Sequence, residues 1–437
     1  MPSSSSSWLG GLRRMDLPLP NEVLLLVLGQ VQRECLSRYD HARRDVSYGA
    51  LLACALVCKT WAAAVPVVLY RDVCVSLPSG GRGGASVANA VRGLVTTLRT
   101  LEKLHPQIPN IVTTLQVHLL YEPLDIQAEY PAAQRAAGDY ESELLSLVPR
   151  LRSLTLVCHD LGTAPNPSHL PVPMPPALVA TLRRLTSLKR VRIERAVRDW
   201  KYTYGSLASA LLTHCPALTH FDIEPVDIAQ VQLAPGDARG RRQLEHLSVA
   251  YHGDVDLAPL GPRCTHLRAL FLSLNSGNLH DTSKMLPVFP PALETLGLYS
   301  IMPHLLSFPG VFAGIKWAFA RSQRVCTVIL QRDLLHANLI GELPRSVRTL
   351  GVDLRGATCV SGLGKAAAAI IGRAEQLEGV VVYVDWVGCA PGREERMQRK
   401  ATSVQELCKA FKARGKSVRF RDRVSSLSLS LFVSRVL

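Results

Sequence analysis

Two hydrophobic rhythms divide the chain. Near the N-terminus Val23, Leu24, Val27, Leu28 and Val31 recur at helical spacing, after Leu19 and Pro20 fix the entry and with Asn21 and Glu22 suited to the cap and first turn. A second helical pattern begins at Leu51 and runs through Leu52, Leu56, Val57 and Trp61 to Pro66, which is expected to stop it. From residue 112 the rhythm becomes a six-residue signature, apolar-x-x-apolar-x-apolar, which predicts a short strand with one buried face. It occurs as Val112, Leu115, Val117; Leu151, Leu154, Leu156; Leu188, Val191, Ile193; Leu218, Phe221, Ile223; and Leu244, Leu247, Val249. It continues as Leu267, Leu270, Leu272; Leu293, Leu296, Leu298; Val325, Val328, Leu330; Val347, Leu350, Val352; and Leu377, Val380, Val382.

Between these strands the pattern turns helical, at 139–148, 176–185, 205–214 and 403–414. A strand, a turn and a returning helix per unit predict an α/β repeat array, whose apolar faces are buried only by stacking neighbours. The spacing is uneven, 39 residues from Leu115 to Leu154 and 22 from Val328 to Leu350. Cys215 and Cys264 each stand three residues before a strand's first leucine, Leu218 and Leu267, which predicts equivalent inward positions.

Side chains alternate across a strand, so the residues between the leucines face the other way. They are Arg190, Arg192 and Glu194; His220, Asp222 and Glu224; His246 and Ser248; then Phe271, Tyr299, Asp353 and Tyr383. Any one of them is explained by a solvent-facing position. As a set they form a candidate target surface with a charged end and an aromatic end.

Composition narrows the functional class. With 47% hydrophobic and 19% charged residues the chain is globular, and no uninterrupted apolar run reaches the length of a spanning helix. The N-terminus is a serine run without the apolar core of a signal peptide, so a cytoplasmic or nuclear protein is expected. Eleven cysteines are scattered without a CxxC pair or zinc spacing. Cys54 and Cys58 lie one helical turn apart but lack a second ligand pair, so reduced core thiols are expected and no metal. The net charge of +15 is spread along the chain, thickening only at 239–242 and 393–423, without a ladder of aromatic residues interleaved to stack bases. That pattern is a mildly basic surface rather than a nucleic-acid face. The glycine-rich run 79–84 lacks the Gly-Lys-Ser/Thr ending of a phosphate loop, and Gly364-Lys365 is followed by Ala366, so no cofactor is expected.

The N-terminal residues carry a resemblance. Leu19, Pro20, Glu22, Val23 and Leu24, then Val27 and Leu28, then Leu56, Val57, Cys58, Lys59 and Trp61 are similar to the F-box pattern: a Leu-Pro opening, an apolar helix and a Val-Cys-Lys-x-Trp ending. Residues 69–73 look like the strand that joins an F-box to its repeats. The strand signature resembles the strand half of a leucine-rich repeat, although only Leu272 is followed by the motif's asparagine, Asn275. A polar stretch between Val31 and Tyr48 departs from the pattern and is expected to project as a surface loop.

The chain therefore resembles a fungal-type F-box protein of α/β class: a small N-terminal helical F-box followed by an irregular leucine-rich-repeat-like solenoid. The expected boundaries are 1–15 for a flexible N-terminus, 16–78 for the F-box, 79–86 for a Gly-rich linker and 87–437 for the solenoid. The resemblance implies that Leu19, Pro20, Glu22, Val23, Leu24, Val27, Leu28, Leu56, Val57, Cys58 and Trp61 bind a Skp-type adaptor and, through it, a cullin. The repeats would then hold an unknown protein target. The alternative is a repeat scaffold that uses its F-box in a complex without ubiquitin transfer. His220 and His246 near Asp222 and Ser248 have the residue types of a catalytic cluster, but no nucleophile elbow, HExxH or nucleotide fingerprint accompanies them, so no intrinsic catalysis is expected.

Overall fold

The structure is a computed structural model that describes residues 21–37, 49–74, 84–104, 108–121, 142–160, 176–195, 205–223, 243–250, 263–274, 292–300, 306, 309–331, 334–354, 363–384 and 404–422. The chain divides into two compact units, Met1–Asp72 and Val73–Leu437.

The described residues of the first unit form three helices, α1 (Asn21–Ser37), α2 (Gly49–Ala55) and α3 (Lys59–Leu69). Leu24, Leu28, Val65 and Val68 form its core, with Val31, Cys54, Ala55, Trp61, Ala64 and Leu69 packed against them. Pro66 does not stop α3, which runs on to Leu69. Its missing N–H costs only the bond to the carbonyl of Ala62, an exposed residue. The polar stretch is also not a loop from its start, because α1 continues to Ser37 and buries Gln32 completely. Arg71 Nη2 donates to Gln32 Oε1 at 3.3 Å and Gln32 Nε2 donates to the Asp72 carbonyl at 3.5 Å, tying α1 to the end of the unit. Residues 38–48 lie outside the described residues.

The second unit is built on a twelve-stranded sheet in which strand order is chain order. The strands are β1 (Asp72–Cys74), β2 (Thr114–Tyr121), β3 (Ser153–Asp160), β4 (Arg190–Arg195), β5 (His220–Ile223) and β6 (His246–Ala250). Then follow β7 (Ala269–Leu274), β8 (Thr295–Ser300), β9 (Thr327–Gln331), β10 (Thr349–Asp353), β11 (Gly379–Val384) and β12 (Ser417–Asp422). All neighbours from β2 to β12 pair in parallel, and the sheet is open, ending at β1 and β12.

The ten signatures lie in β2 to β11, and all three apolar residues of each are buried, none more than 5% exposed. They share one core with the helices Gly84–Leu104, Pro176–Arg184, Gly205–His214, Pro309–Arg321 and Leu363–Gly372. The helices therefore lie on one face of the sheet, and among the described residues the other face carries no helix. Residues 142–146 and 404–412 are helical as the sequence predicts, and Gly84 to Ser86 of the Gly-rich segment belong to a helix.

A single device sets the register at each step from β2 to β11. The Thr113 carbonyl accepts from the successive N–H groups of Arg152 and Ser153, at 2.8 and 3.0 Å, and the Arg152 carbonyl accepts from Lys189 and Arg190 in the same way. The pairing recurs through Lys189, Thr219, Glu245, Arg268, Glu294, Cys326 and Arg348. The turn before each strand recurs too: Leu218 N–H donates to the Cys215 carbonyl at 3.3 Å, and Leu267 N–H to that of Cys264 at 3.0 Å. The two cysteines thus occupy equivalent positions. Burial pushes both thiols up to about 12, against the opposing pull of Arg263, which leaves them protonated and unreactive.

Within the second unit long cations tie neighbouring repeats together. Arg263, only 2% exposed, donates through Nη1 to the Leu212 carbonyl at 2.5 Å in the last turn of Gly205–His214. Arg373 donates to the carbonyls of Ile340 and Leu343 at 2.7 and 2.9 Å, and Lys416 Nζ to those of Ala374 and Glu375 at 2.5 and 2.8 Å. Each satisfies carbonyls at or just beyond a helix C-terminus, where a cation also meets the favourable end of the helix dipole.

Candidate functional site

The helix-free face of the sheet carries most of the predicted target surface. Arg190 and Arg192 on β4 are half-buried, as are His220 and Asp222 on β5. Glu194 lies in β4, and Glu224 falls outside the described residues. The structure joins the imidazole and aromatic members into one line across four strands. The rings of His220 and His246 stack at 5.5 Å, His246 meets Phe271 at 5.1 Å, and Phe271 meets Tyr299 at 6.2 Å. His246 Nε2 donates to Asp222 Oδ1 at 2.8 Å.

These side chains are more enclosed than strand alternation predicts. His246 and Phe271 are 2% exposed, Tyr383 is 6% and Asp353 is fully buried. The cause is packing within the face: Ala269, Phe271, Ile329, Val381 and Tyr383 form a second core with Tyr299 against it. Along one row Phe271, Gly297, Ile329, Gly351 and Val381 succeed one another, so each large side chain leans over a glycine. A methyl group built on Gly297 would meet the Phe271 ring at 2.2 Å, and one on Gly351 would meet Ile329 at 2.7 Å.

Electrostatics favour the neutral imidazole of His220 and the ionised carboxylate of Asp222. Burial, with the neighbouring charges of His246 and Arg190, pulls His220 down to about 4, against the opposing Asp222. Burial opposes ionisation of Asp222, but His246, their hydrogen bond, Arg192 and His220 outweigh it and hold the carboxyl below its ordinary value. No hydrogen bond joins Ser248 to either imidazole, and His246 Nδ1 is buried with no partner among the described residues. The Asp222–His246 pair relays to no hydroxyl among the described residues, and the one hydroxyl bonded to the cluster is Thr219 Oγ1, 2.9 Å from His220 Nδ1. Among the described residues no group of three His, Cys, Asp or Glu is placed to hold a metal ion, and no helix is long and apolar enough to cross a membrane.

The helical unit presents a different surface. In α1 the residues one turn apart at Leu24 and Leu28 point into the core, while Val23, Leu26 and Val27 lie on the opposite side, 40%, 68% and 41% exposed. Leu52 on α2 is 53% exposed, and Leu56 and Val57 in the turn before α3 are 89% and 63% exposed. Cys58, also exposed, caps α3. With Leu25, these are all the large hydrophobic residues that are exposed among the described residues of the chain. The run Val23–Leu28 makes the first half of α1 apolar all round, and such a helix is normally buried all round. This stretch is buried on one side only.

Residues 17–76 match the F-box-like family model. The F-box-like domain thus covers the three helices and β1, and such domains are protein-interaction adaptors. No curated protein matches the chain. Among solved structures it is similar to a protein from Bacteroides fragilis, with 12% identity and a TM-score of 0.36 over 77% of this chain and 84% of that one, a likeness from which nothing is taken.

Within the F-box-like domain the predicted adaptor residues separate into three groups. Val23, Val27, Leu56, Val57 and Cys58 are exposed. Leu24 and Leu28, at 1% and 0% exposure, belong to the core, and Trp61 braces it from a half-buried position. Glu22 lies in the first turn of α1, while Leu19 and Pro20 lie outside the described residues. Leu25, Leu26 and Leu52 are exposed members that the pattern reading did not assign. Their signal was present in the unbroken run Leu24-Leu25-Leu26, which no one-faced helix needs.

Proposed function

We propose that the chain is the substrate-recognition subunit of a Skp-cullin-F-box type ubiquitin ligase. The F-box-like domain docks a Skp-type adaptor through Val23, Leu26, Val27, Leu52, Leu56 and Val57, and the repeat sheet holds a target protein on its helix-free face. The observation that carries this reading is the confinement of exposed large hydrophobics, among the described residues, to the F-box-like domain. An exposed apolar cluster of this kind, in a small helical unit, marks an interaction site. The sequential parallel strands, with the described helices between them packed into one core on one face, support a leucine-rich-repeat-like solenoid as the target-binding part. The mechanism is proximity: a target held on the repeats is presented at high effective concentration to a ligase assembled on the F-box, and ubiquitin transfer is carried out by other subunits.

Affinity purification of the tagged chain followed by mass spectrometry tests the assembly. Adaptor and cullin recovered together support the ligase role. Adaptor without cullin would support a scaffold that uses its F-box without ubiquitin transfer, and recovery of neither would remove the F-box reading.

A further inference from the structure

On the helix-free face of β9 to β12 the packed second core gives way to a hollow. The register places Thr327, Thr349, Gly379 and Ser417 in one row across these strands and Ile329, Gly351, Val381 and Arg419 in the next. Glycine at 351 and 379 removes two side chains from adjacent strands. The first gap is partly taken by Ile329, whereas at Gly379 the nearest atoms belong only to Ser417, at 3.1 and 3.2 Å from a built methyl group. The remaining space is about 160 Å³. That is close to the roughly 150 Å³ of an engineered cavity that admits benzene, so it holds one side chain of moderate size.

The lining is divided chemically. Ile329, Val381 and Tyr383 supply apolar surface, and the hydroxyls of Thr327, Thr349 and Ser417 supply donors along one side. The Thr349 and Ser417 hydroxyls have no hydrogen-bond partner among the described residues, and Thr327 Oγ1 has only the Cys326 thiol at 3.8 Å. Arg419 is exposed and makes no ion pair among the described residues. The one acidic group of the lining, Glu378, has its Oε1 4.0 Å from Arg348 Nε. A short aliphatic stem against the apolar wall, ending in an acceptor before the hydroxyls and the guanidinium, completes these valences. With Glu378 facing Arg348, Arg419 is the one guanidinium of the lining left over, which matches a single negative charge, whereas the near-double charge of a phosphate monoester calls for a cluster of arginines.

We propose that this hollow receives a glutamate side chain of the bound target segment. The proposal rests on the target-binding reading of the sheet and gives that surface a chemical preference. The test uses the purified full-length chain without adaptor, so its outcome is independent of whether the F-box-like domain docks one. A random-peptide phage library is panned on wild type and on Arg419→Glu, a change at an exposed position whose fold is checked by thermal melting. Wild type is expected to enrich peptides with glutamate at one fixed position, and Arg419→Glu to shift that position to lysine or arginine. The selected peptide, made with Glu→Gln, should bind wild type about ten-fold more weakly by fluorescence anisotropy, a change of about 1.4 kcal/mol. Ser417→Leu, which fills the hollow, should abolish the preference while leaving the melting temperature unchanged. Enrichment of apolar or basic residues in wild type, no enrichment at all, equal affinity for the Glu and Gln peptides, or tighter binding of a phosphoserine peptide would each overturn the assignment.

Discussion

Replacing Gly297 by alanine tests how the helix-free face is packed. The new methyl carbon would lie 2.2 Å from Phe271 Cδ1 and 2.8 Å from Cε1. Carbon atoms rest about 3.5–4.0 Å apart, so the ring must move by more than about 1 Å. It has little freedom to do so, being 2% exposed and in contact with His246 on one side and Tyr299 on the other. Overpacking a formed core costs about 1–3 kcal/mol, partly offset by the ~0.4–1 kcal/mol that alanine contributes by restricting the unfolded chain. The net expectation is a loss of about 1–2 kcal/mol in urea unfolding. Gly93→Ala is the matched control: nothing lies within 4 Å of its built methyl group, and it sits in the helix Gly84–Leu104, so it should gain about 0.5–1 kcal/mol. Shrinking the ring by Phe271→Leu should relieve the clash, so the Gly297→Ala penalty should fall by about 1 kcal/mol in that background. A Gly297→Ala protein as stable as wild type, or the same penalty with Leu at 271, would refute the large-over-glycine packing.

Two further outcomes follow from the core and the charged cluster. Leu296→Ala, at a fully buried position, should cost about 2–5 kcal/mol in thermal or urea unfolding, whereas Thr295→Ala, on the opposite face of the same strand, should cost little; equal effects would contradict the strand's facing. His220 has a folded value of about 4 against an ordinary value near 6.5, so between those pH values the unfolded chain takes up a proton that the folded chain refuses. Its contribution is therefore lost as pH falls through that window, by about 2 kcal/mol between pH 7 and pH 5, and His220→Asn should remove this part of the acid sensitivity. An unchanged pH dependence in the variant would show that His220 is not held neutral.

The repeat architecture was legible because its signal is local. A leucine or valine two residues ahead of each strand and two apolar residues within it suffice to mark β2 to β11, and every such residue is buried. β12 escaped because its leading leucine is absent. In its place the chain turns through Gly415, at φ +66, and Lys416, whose N–H donates to the Phe411 carbonyl at 2.9 Å. The reach of α1 to Ser37 was hidden for a different reason: Gln32 is held by Arg71 and Asp72, residues far along the chain, so its burial follows from tertiary contacts and not from its own polarity.

The candidate sites were legible in part. Strand alternation identified which residues share the helix-free face, but their enclosure depends on the neighbour in the next strand, as Phe271 depends on Gly297. In α1 the helical period selected Leu24 and Leu28 together with Val23 and Val27 without separating the inner side from the outer. Packing of α3 through Val65 and Val68 makes that choice, and leaves Leu26 outside.

The most direct test of the proposed function is the affinity of a purified Skp-type adaptor for the full chain, measured beside the variant Leu26→Asp with Leu56→Asp. Both positions are strongly exposed, at 68% and 89%, so the double change should leave the melting temperature unchanged. Losing apolar anchors at the centre of an interface costs about 2 kcal/mol or more, so affinity is predicted to fall at least about 30-fold. Tight binding by wild type and its loss in the folded variant is the result expected. A variant that binds as well as wild type, or a wild type that does not bind the adaptor, would contradict the account.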